Sequence, residues 1–229
     1  MPYNTKFKII TTADGSHTIL SEEYREHYHS VYGAIGESKH IYIENGLKPA
    51  IFNNNVLNIL EIGFGTGLNA FLTLIEIINQ KASINYTTIE PFPINKSLIS
   101  KLNYPKKVND SFLRKEFYKI HNAEWNKMIE ILPCFSLFKI NKKLQETDLP
   151  FNTYDVVYFD PFSPKNQPDL WTSEVFEMIY KVMKNNSTLI TYSAKGSVKR
   201  ILKSSGFVVQ NIEGPFGKRE ITRAIKLKS

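Results

Sequence analysis

The chain has 229 residues, of which 42% are hydrophobic, which suits one domain with extensions and excludes collagen-like, disordered and disulfide-scaffold classes. Cys134 is the sole cysteine, so no disulfide can form within the chain, and a cysteine-based zinc cluster is not expected. The 29 basic and 22 acidic residues leave a formal charge of +7. That charge favours a polyanionic partner such as RNA, because bound Lys and Arg release counterions from phosphates.

Apolar stretches in the sequence are short. Met1–Ile10 lacks the long apolar run of a signal peptide, and no run approaches the roughly 18 apolar residues of a membrane span. We therefore expect a cytoplasmic protein that does not enter a membrane.

The first part of the chain differs from the rest in its residue pattern. Two β-prone segments, Phe7–Thr12 and one ending in Thr18–Leu20, flank the turn signal Asp14–Ser16. A stretch rich in Tyr and His follows and ends in the strand-like His40–Ile43. We predict that residues 1–55 form a small β-rich extension, which packs on a main domain at 56–229.

From Val56 onward, short apolar runs typical of buried parallel strands alternate with segments of helical spacing. The predicted strands are Val56–Gly63, Ile84–Glu90, Cys134–Ile140, Tyr154–Asp160, Ser187–Ala194, and a closing pair at 207–214 and 219–227. The predicted helices are Leu68–Asn79, Ile94–Leu102, Asp110–Leu132, Ser173–Met183 with Ser173 as a possible cap, and Val198–Lys203. This alternation implies an α/β fold with a doubly wound, mostly parallel seven-stranded sheet, and the closing pair implies an antiparallel strand near one edge.

A glycine loop, Glu61-Ile62-Gly63-Phe64-Gly65-Thr66-Gly67, follows the first predicted strand and opens a helix. Glycines there let the backbone approach a ligand, and the helix N-terminus supplies free N–H groups. The G-x-G-x-G spacing differs from the G-x-G-x-x-G of dinucleotide sites, and no P-loop motif occurs. The alternative is a tight strand-to-helix turn without a ligand.

Glu90 ends the second predicted strand, where an acid accepts ribose hydroxyl groups of an adenosine ligand. The loop E-x-G-x-G-x-G resembles motif I of the class I methyltransferases, and Glu90 matches their acid after the second strand. The resemblance implies S-adenosyl-L-methionine as cofactor. It assigns to cofactor binding the residues Glu61, Gly63, Gly65, Thr66, Gly67, Glu90 and, after the third strand, Asn141.

The segment Asp160-Pro161-Phe162-Ser163-Pro164 follows the fourth predicted strand, beyond whose carboxyl end ligands bind. A carboxylate and free proline carbonyls are acceptors that suit an amine substrate. The segment resembles the D-P-P-Y and N-P-P-Y loops of amino-methyltransferases. We therefore expect Asp160 to contact the cofactor and to hold or deprotonate an amine beside it, with Pro161 and Phe162 against the substrate. Alternatively, Asp160 caps a turn and Phe162 only packs.

Several segments together resemble one family: LEIGFGTGLNAFLT, YFDPFSPKNQPDLWT, TYSAKGSVKRIL, GPFGKREITRA and the N-terminal EHYHSVYGAIGESKHIYIENGL. They are similar to the methyltransferase domain of the MnmC-type tRNA 5-methylaminomethyl-2-thiouridine biosynthesis proteins. The resemblance implies N-methylation of 5-aminomethyluridine, often 2-thiolated, at the wobble position of a tRNA anticodon stem-loop. No second glycine-rich nucleotide motif is present, so the FAD-dependent oxidase activity of bifunctional relatives is not expected.

Further residues are candidates for contacts with this substrate. Stacking between aromatic side chains assigns Trp171 and Phe162 to the sides of the extruded base. The N-terminal resemblance assigns Tyr24 and Glu37 to a pocket. The candidates for phosphate contacts are Lys195, Lys199, Arg200, Lys218, Arg219 and Arg223. Trp171 alternatively packs under the Asp160 loop, and the basic residues alternatively form a solvated face.

Other functions remain open at this level. An aminopropyltransferase-like enzyme shares the fold and the acid after the fourth strand, but it needs acidic pockets for a polyamine. Methylation of proteins or small molecules keeps the chemistry with another partner, and a non-catalytic RNA-binding protein keeps only a vestigial cofactor site. The five histidines show no metal-ligand spacing, so no metal is expected. No oligomeric state follows from the sequence.

Overall fold

The computed structural model describes residues 7–52, 55–78, 80–108 and 110–228. Eleven strands form two sheets within these residues. The strands are β1 Phe7–Thr11, β2 His17–Ser21, β3 Glu26–His27, β4 Val56–Ile62, β5 Ser83–Ile89, β6 Met128–Leu132, β7 Phe135–Ile140, β8 Tyr154–Phe159, β9 Met183–Thr191, β10 Val208–Glu213 and β11 Glu220–Lys226.

The helices lie between these strands. They are α1 Ala34–Ser38, a π-helical segment Lys39–Leu47, α2 Lys48–Ile51, α3 Leu68–Ile77, α4 Lys96–Ile99, α5 Ser111–Asn122, α6 Ser173–Val182 and α7 Gly196–Ser204, with short 3-10 turns at Tyr104–Lys107, Leu144–Glu146 and Pro168–Leu170. None of the described helices is both long and apolar enough to cross a membrane.

The larger sheet has eight strands in the order β10-β11-β9-β8-β4-β5-β7-β6. The five central strands, β9 to β7, are parallel, whereas β11 and β6 pair antiparallel with their neighbours. This architecture confirms the predicted α/β fold with a mostly parallel sheet and an antiparallel closing pair. The smaller sheet, β1-β2-β3, is antiparallel and confirms the β-rich character of the N-terminal segment.

Both faces of the large sheet are covered by helices. Successive residues of its central strands point to opposite faces, so each strand contributes to two cores. Ile59 and Val156 pack in one core together with α3 and α5, whereas Leu60 and Val157 pack in a second core together with α6 and α7. Ile41 of the π-helical segment belongs to the first core. The division at residue 55 into extension and main domain stays a prediction, and residues 1–6, 53 and 54 lie outside the described part.

The sheet has one strand more than predicted. Met128–Leu132 was expected to end a long helix, but α5 stops at Asn122 and these residues form β6 against β7. Asn126, with φ of +59°, turns the chain between the two elements. The side chains of β6 alternate between outward Met128 and Glu130 and inward Ile129 and Ile131, and this period of two is that of a strand.

Two further segments differ from the predictions. His40–Ile43 was expected to be a strand but is π-helical, because Ile41, Tyr42 and Ile43 bury themselves against the sheet. The helix expected at Ile94–Leu102 shortens to α4, whose first turn is capped by Asn95.

The remaining helices lie close to their predicted places. Thr172 rather than Ser173 caps α6 by accepting from Val175 N, and Met183 begins β9 instead of ending that helix. α3 confirms the predicted helix up to Ile77; its predicted last residue, Asn79, lies outside the described residues.

Candidate active site

The carboxyl ends of β4, β5 and β8 meet at one edge of the sheet, because Ile62 pairs with both Ile89 and Phe159. The residues that follow these strands, Gly63, Glu90 and Asp160, therefore open on the same space. That space is a cavity of about 870 Å³, a size typical of small-molecule sites. Residues of the N-terminal segment from Tyr24 to Glu37 cover its other side.

The glycine loop takes its shape from contacts within the protein. Gly63 has φ of +93° and Gly65 has φ of +47°, a region that side chains disfavour. A Cβ atom on Gly63 would lie 2.8 Å from the Asp160 carbonyl oxygen, and one on Gly65 would lie 2.9 Å from the Tyr28 ring. Both glycines line the cavity, whereas Gly67 caps α3 beside His121 and is not on the wall.

Two histidines, the buried His29 and the half-buried His121, hold Thr66 at the centre of the loop. His29 Nε2 lies 2.7 Å from Thr66 Oγ1, and His121 Nε2 donates to the Thr66 carbonyl at 3.1 Å. Burial lowers the pKa of His29 to about 4 and that of His121 to about 3, so both rings are neutral near pH 7. The spacing of the histidines in the sequence bears only on metal binding, and no sequence signal links His29 or His121 to the loop.

Glu90 connects the loop to the cavity. Its Oε2 accepts from Gly65 N at 3.1 Å and its Oε1 accepts from Phe92 N at 2.9 Å. Burial raises the pKa of Glu90, and these two N–H donors lower it. A carboxylate oxygen can accept more than one hydrogen bond, so each Glu90 oxygen can still accept from a ribose hydroxyl group.

Two predicted cofactor residues lie behind the wall. Asn141 donates to the carbonyls of Glu90 and Pro91 at 2.9 and 3.2 Å, and so supports the turn that carries Glu90. Glu61 is completely buried beneath the loop, near Asn69 and Tyr86, and burial raises its pKa to about 8. Direct contact of either side chain with a cofactor stays a prediction.

Asp160 faces the cavity at the end of β8 and accepts from Asn69 Nδ2 at 2.8 Å. Burial raises the pKa of Asp160 to about 7, although the nearby Tyr42 hydroxyl and the hydrogen bond from Asn69 lower it. The charge of Glu37 raises this pKa further, and that of Lys218 lowers it. A carboxylate with a pKa near 7 exchanges protons readily at neutral pH.

The loop after Asp160 is held by long-range hydrogen bonds. Tyr192 OH donates to the Pro161 carbonyl at 2.8 Å, and Trp171 Nε1 donates to the Phe162 carbonyl at 2.8 Å. Trp171 is only 5% exposed and packs edge-on against Phe159 under the loop. This placement corrects the expectation that Trp171 flanks the substrate base, because its ring lies in the core.

Residues of the N-terminal segment complete this loop. The Phe162 ring stacks on Tyr24 with a centroid distance of 4.3 Å and an interplanar angle of 18°. Glu26 Oε2 accepts from Ser163 N, Ser163 Oγ and Asn166 Nδ2 at 3.1, 2.8 and 2.7 Å. Glu26 thus ties the Asp160 loop to β3, a role that nothing in its local sequence indicated.

An ion pair lies at the same end of the cavity. Lys218 Nζ is 2.5 Å from Glu37 Oε1 and 4.5 Å from the centroid of the Tyr192 ring. The other Glu37 oxygen accepts from Ser30 N at 2.7 Å. The structure therefore brings the predicted residues Glu37 and Lys218 together with Asp160.

The predicted phosphate contacts divide into two groups. Lys195, Lys218 and Arg219 line a second cavity of about 480 Å³, which shares Tyr192 and Lys218 with the first, and Arg200 is exposed nearby on α7. Lys199 instead pairs with Glu220 at 2.8 Å, and Arg223 donates to the Asn45 carbonyl at 2.8 Å. These internal contacts disfavour the expected phosphate contacts of Lys199 and Arg223.

Comparisons with known proteins identify the relatives of this chain. A family model described as S-adenosyl-L-methionine-dependent methyltransferase matches residues 107–227. The chain is 31% identical over 216 residues to the tRNA 5-methylaminomethyl-2-thiouridine biosynthesis bifunctional protein MnmC of Leptospira interrogans, covering 89% of this chain and 33% of that protein. Its namesake from Campylobacter hominis is 25% identical, covering 90% and 31%. The chain thus spans about a third of the length of these relatives.

Solved structures show the same fold. MnmC2 from Aquifex aeolicus superposes with a TM-score of 0.77 at 26% identity, covering 99% of this chain and 73% of that one. Spermidine synthase from Thermotoga maritima superposes with a TM-score of 0.58 at 14% identity, covering 96% and 68%. The second likeness concerns the fold alone.

Proposed function

The chain belongs to the S-adenosyl-L-methionine-dependent methyltransferase family, and we propose that it methylates the amine of 5-aminomethyluridine, with or without 2-thiolation, at the wobble position of tRNA. The observation that carries this proposal is Asp160, which faces the cavity beside the glycine loop with a pKa of about 7. The names of the MnmC relatives point to the tRNA nucleoside as the substrate.

The residues at the wall fit the cofactor. The backbone from Gly63 to Thr66 and the Glu90 carboxylate would hold its methionine and ribose parts. When bound, S-adenosyl-L-methionine supplies a methyl group on a positively charged sulfur. Asn141 and Glu61 support this site from behind, and Asn141 does so through the Glu90 carbonyl.

The amine would be prepared at Asp160. An aminomethyl group is mostly protonated at neutral pH, and its lone pair becomes available only after the proton leaves. Asp160 accepts that proton and then holds the neutral amine, while Asn69 fixes the direction of the carboxylate. The Pro161 carbonyl, already an acceptor for Tyr192, retains a second lone pair for an amine N–H. Alignment of the amine nitrogen with the methyl group contributes the rest of the rate enhancement.

The substrate base would lie against Phe162 and Tyr24, whose rings form an aromatic wall of the cavity. Unpaired RNA bases are commonly held by such stacking. The net charge of +7 supports binding of the anticodon stem-loop. The absence of a metal or FAD requirement, and a cytoplasmic location, remain predictions.

One observation keeps an aminopropyltransferase as the second candidate. The cavity wall carries six carboxyl side chains, which a polyamine would need: Glu26, Glu37, Glu90, Glu146, Asp160 and Asp169. Three of these already serve the protein, because Glu26 and Glu90 accept from loop groups and Glu37 pairs with Lys218. The methyltransferase proposal therefore has the stronger support.

The deciding experiment measures transfer of labelled methyl from S-adenosyl-L-methionine to total tRNA from a host that lacks the modification. Mass analysis of the nucleosides is expected to show a new 5-methylaminomethyl nucleoside. A parallel reaction supplies putrescine and decarboxylated S-adenosylmethionine. Polyamine formation without any methylated tRNA would replace our proposal by the second candidate. Cofactor binding with neither product would favour a non-catalytic RNA-binding protein.

A further inference from the structure

Two exposed aromatic rings stand together at the rim of the cavity. Phe216, at the tip of the turn between β10 and β11, is 82% exposed, and Tyr32, just before α1, is 52% exposed. Their centroids are 5.6 Å apart and their planes form an angle of 77°, an edge-to-face arrangement. Large aromatic surface kept in water next to a functional cavity is typical of a binding surface.

The turn holds this pair in place. Gly217 has φ of +86°, and a Cβ atom there would lie 2.3 Å from the Tyr32 ring, so the ring lies directly on the turn backbone. The hydrogen bonds from Lys218 N to the Pro215 carbonyl and from Gly214 N to the Arg219 carbonyl close the turn. The aromatic pair is therefore pre-organised, which lowers the entropic cost of binding a ligand.

The pair lies next to both cavities. Val31, the neighbour of Tyr32, lines the main cavity, and Lys218, two residues after Phe216, lines the main cavity and the second one. A chain that leaves the main cavity along Lys218 consequently meets the aromatic pair. A nucleotide bound at Asp160 would place its sequence neighbours at this rim.

The charges beside the pair are mainly positive. Lys195 and Arg219 are exposed and line the second cavity. The carboxylate of Glu220 in the same wall is paired with Lys199, and that of Glu37 with Lys218. Two exposed acids near the pair are not balanced by these ion pairs: Glu213 at the end of β10 and Asp14, whose carboxylate lies beside Gly33. Cations next to exposed aromatics form the pattern that binds single-stranded nucleic acid.

We propose that Phe216 and Tyr32 form a stacking surface for an unpaired nucleobase adjacent to the methylated nucleotide, while Lys195 and Arg219 contact the RNA phosphates. This proposal rests on the proposed function, because it takes the nucleotide in the main cavity to be part of an RNA loop. A flanking base left unstacked when its neighbour is extruded finds a new partner on the Phe216 ring. The surface would thereby favour nucleotides in a loop over free nucleosides.

The test measures the Kd of a fluorescent anticodon stem-loop RNA by anisotropy, for the wild type and three variants. Loss of one base–aromatic stack predicts that Phe216→Ala weakens binding about 5- to 150-fold. Phe216→Trp is expected to retain the affinity. Phe151→Ala is the matched control, because Phe151 is 74% exposed but precedes β8 at the opposite edge of the sheet. Cofactor affinity of each variant reports correct folding.

A second RNA assigns the contact to a base. In this RNA the loop nucleotides that flank the wobble position are abasic. The wild type should bind it as weakly as Phe216→Ala binds the intact RNA, and Phe216→Ala should lose nothing further. Equal affinities of Phe216→Ala and the wild type for intact RNA would overturn the proposal. An equal effect of Phe216→Ala on both RNAs would also overturn it.

This binding assay is independent of turnover. If no tRNA is methylated but Phe216→Ala weakens binding of intact RNA alone, the proposed function fails and the stacking surface stands. If tRNA is methylated and Phe216→Ala matches the wild type in both binding and kcat/KM, the surface fails and the function stands.

Discussion

The side-chain amide of Asn69 donates a hydrogen bond of 2.8 Å to the carboxylate of Asp160. Asn69 lies in the first turn of α3, and the same side chain faces the buried Glu61 carboxyl from above. One amide thus lies between two acids, the cavity-lining Asp160 with a pKa near 7 and the buried Glu61 with a pKa near 8. The pKa of Asp160 depends on this neighbour, which makes the pair a suitable target for mutation.

Replacement of Asp160 by Asn removes the proton acceptor and retains the shape of the side chain. We expect methyl transfer to fall by about 10²- to 10⁴-fold, the usual contribution of a general base. Single-turnover rates with labelled S-adenosyl-L-methionine measure the effect, and calorimetry measures cofactor affinity. Near-normal turnover with intact cofactor binding would exclude this role for Asp160.

Asn69→Ala removes a donor that stabilises the charged form of Asp160. The pKa of Asp160 should therefore rise, and the acid limb of the kcat/KM profile should move to higher pH. Asn85→Ala is the control, because Asn85 is exposed on β5 and its side chain donates to Asn58, away from the cavity wall. A variant with a lowered rate but an unshifted profile would show that Asn69 serves packing alone.

Glu61→Gln tests the buried acid behind the glycine loop. Its pKa is raised from 4.5 to about 8, so its contribution to stability is fully present below pH 4.5 and is lost as the pH rises toward 8. Gln carries no charge, so the free energy of unfolding of the variant does not include this pH-dependent loss. The difference in the free energy of unfolding between Glu61→Gln and the wild type should grow by about 1.4 kcal/mol per pH unit in that window. Urea titrations at pH 5, 6, 7 and about 8 measure it; a constant difference would contradict the raised pKa.

Glu26 positions the loop that carries Asp160, through three hydrogen bonds to one oxygen. Glu26→Ala should lower kcat by roughly 10-fold or more, because small displacements of catalytic groups are costly. Glu26→Gln keeps an acceptor oxygen and should restore most of the rate. Glu22→Ala is the control, since Glu22 pairs with the exposed Lys8 at 3.4 Å. Equal rates for Glu26→Ala and the control would show that Glu26 does not position the Asp160 loop for catalysis.

Local patterns along the chain determined the core of this site. Gly63, Glu90 and Asp160 each follow a short apolar run, and such runs become parallel strands whose carboxyl ends share one edge. The alternation of strands and helices likewise specified the doubly wound sheet. These features could be read from the sequence because each depends on residues close together in the chain.

Packing between distant segments decided the rest. Met128–Leu132 has helix-like spacing with α5, yet it joins the sheet because β7 offers an open edge. Trp and Arg are residue types common in substrate sites, but the Trp171 side chain is buried and Arg223 donates to the Asn45 carbonyl. Long-range contacts also recruit His29 to Thr66 and Glu26 to Ser163. The sequence alone therefore determined which residues directly follow the strands. Only the tertiary structure decided which side chains contact those residues, because local spacing carries no information on contacts between remote segments.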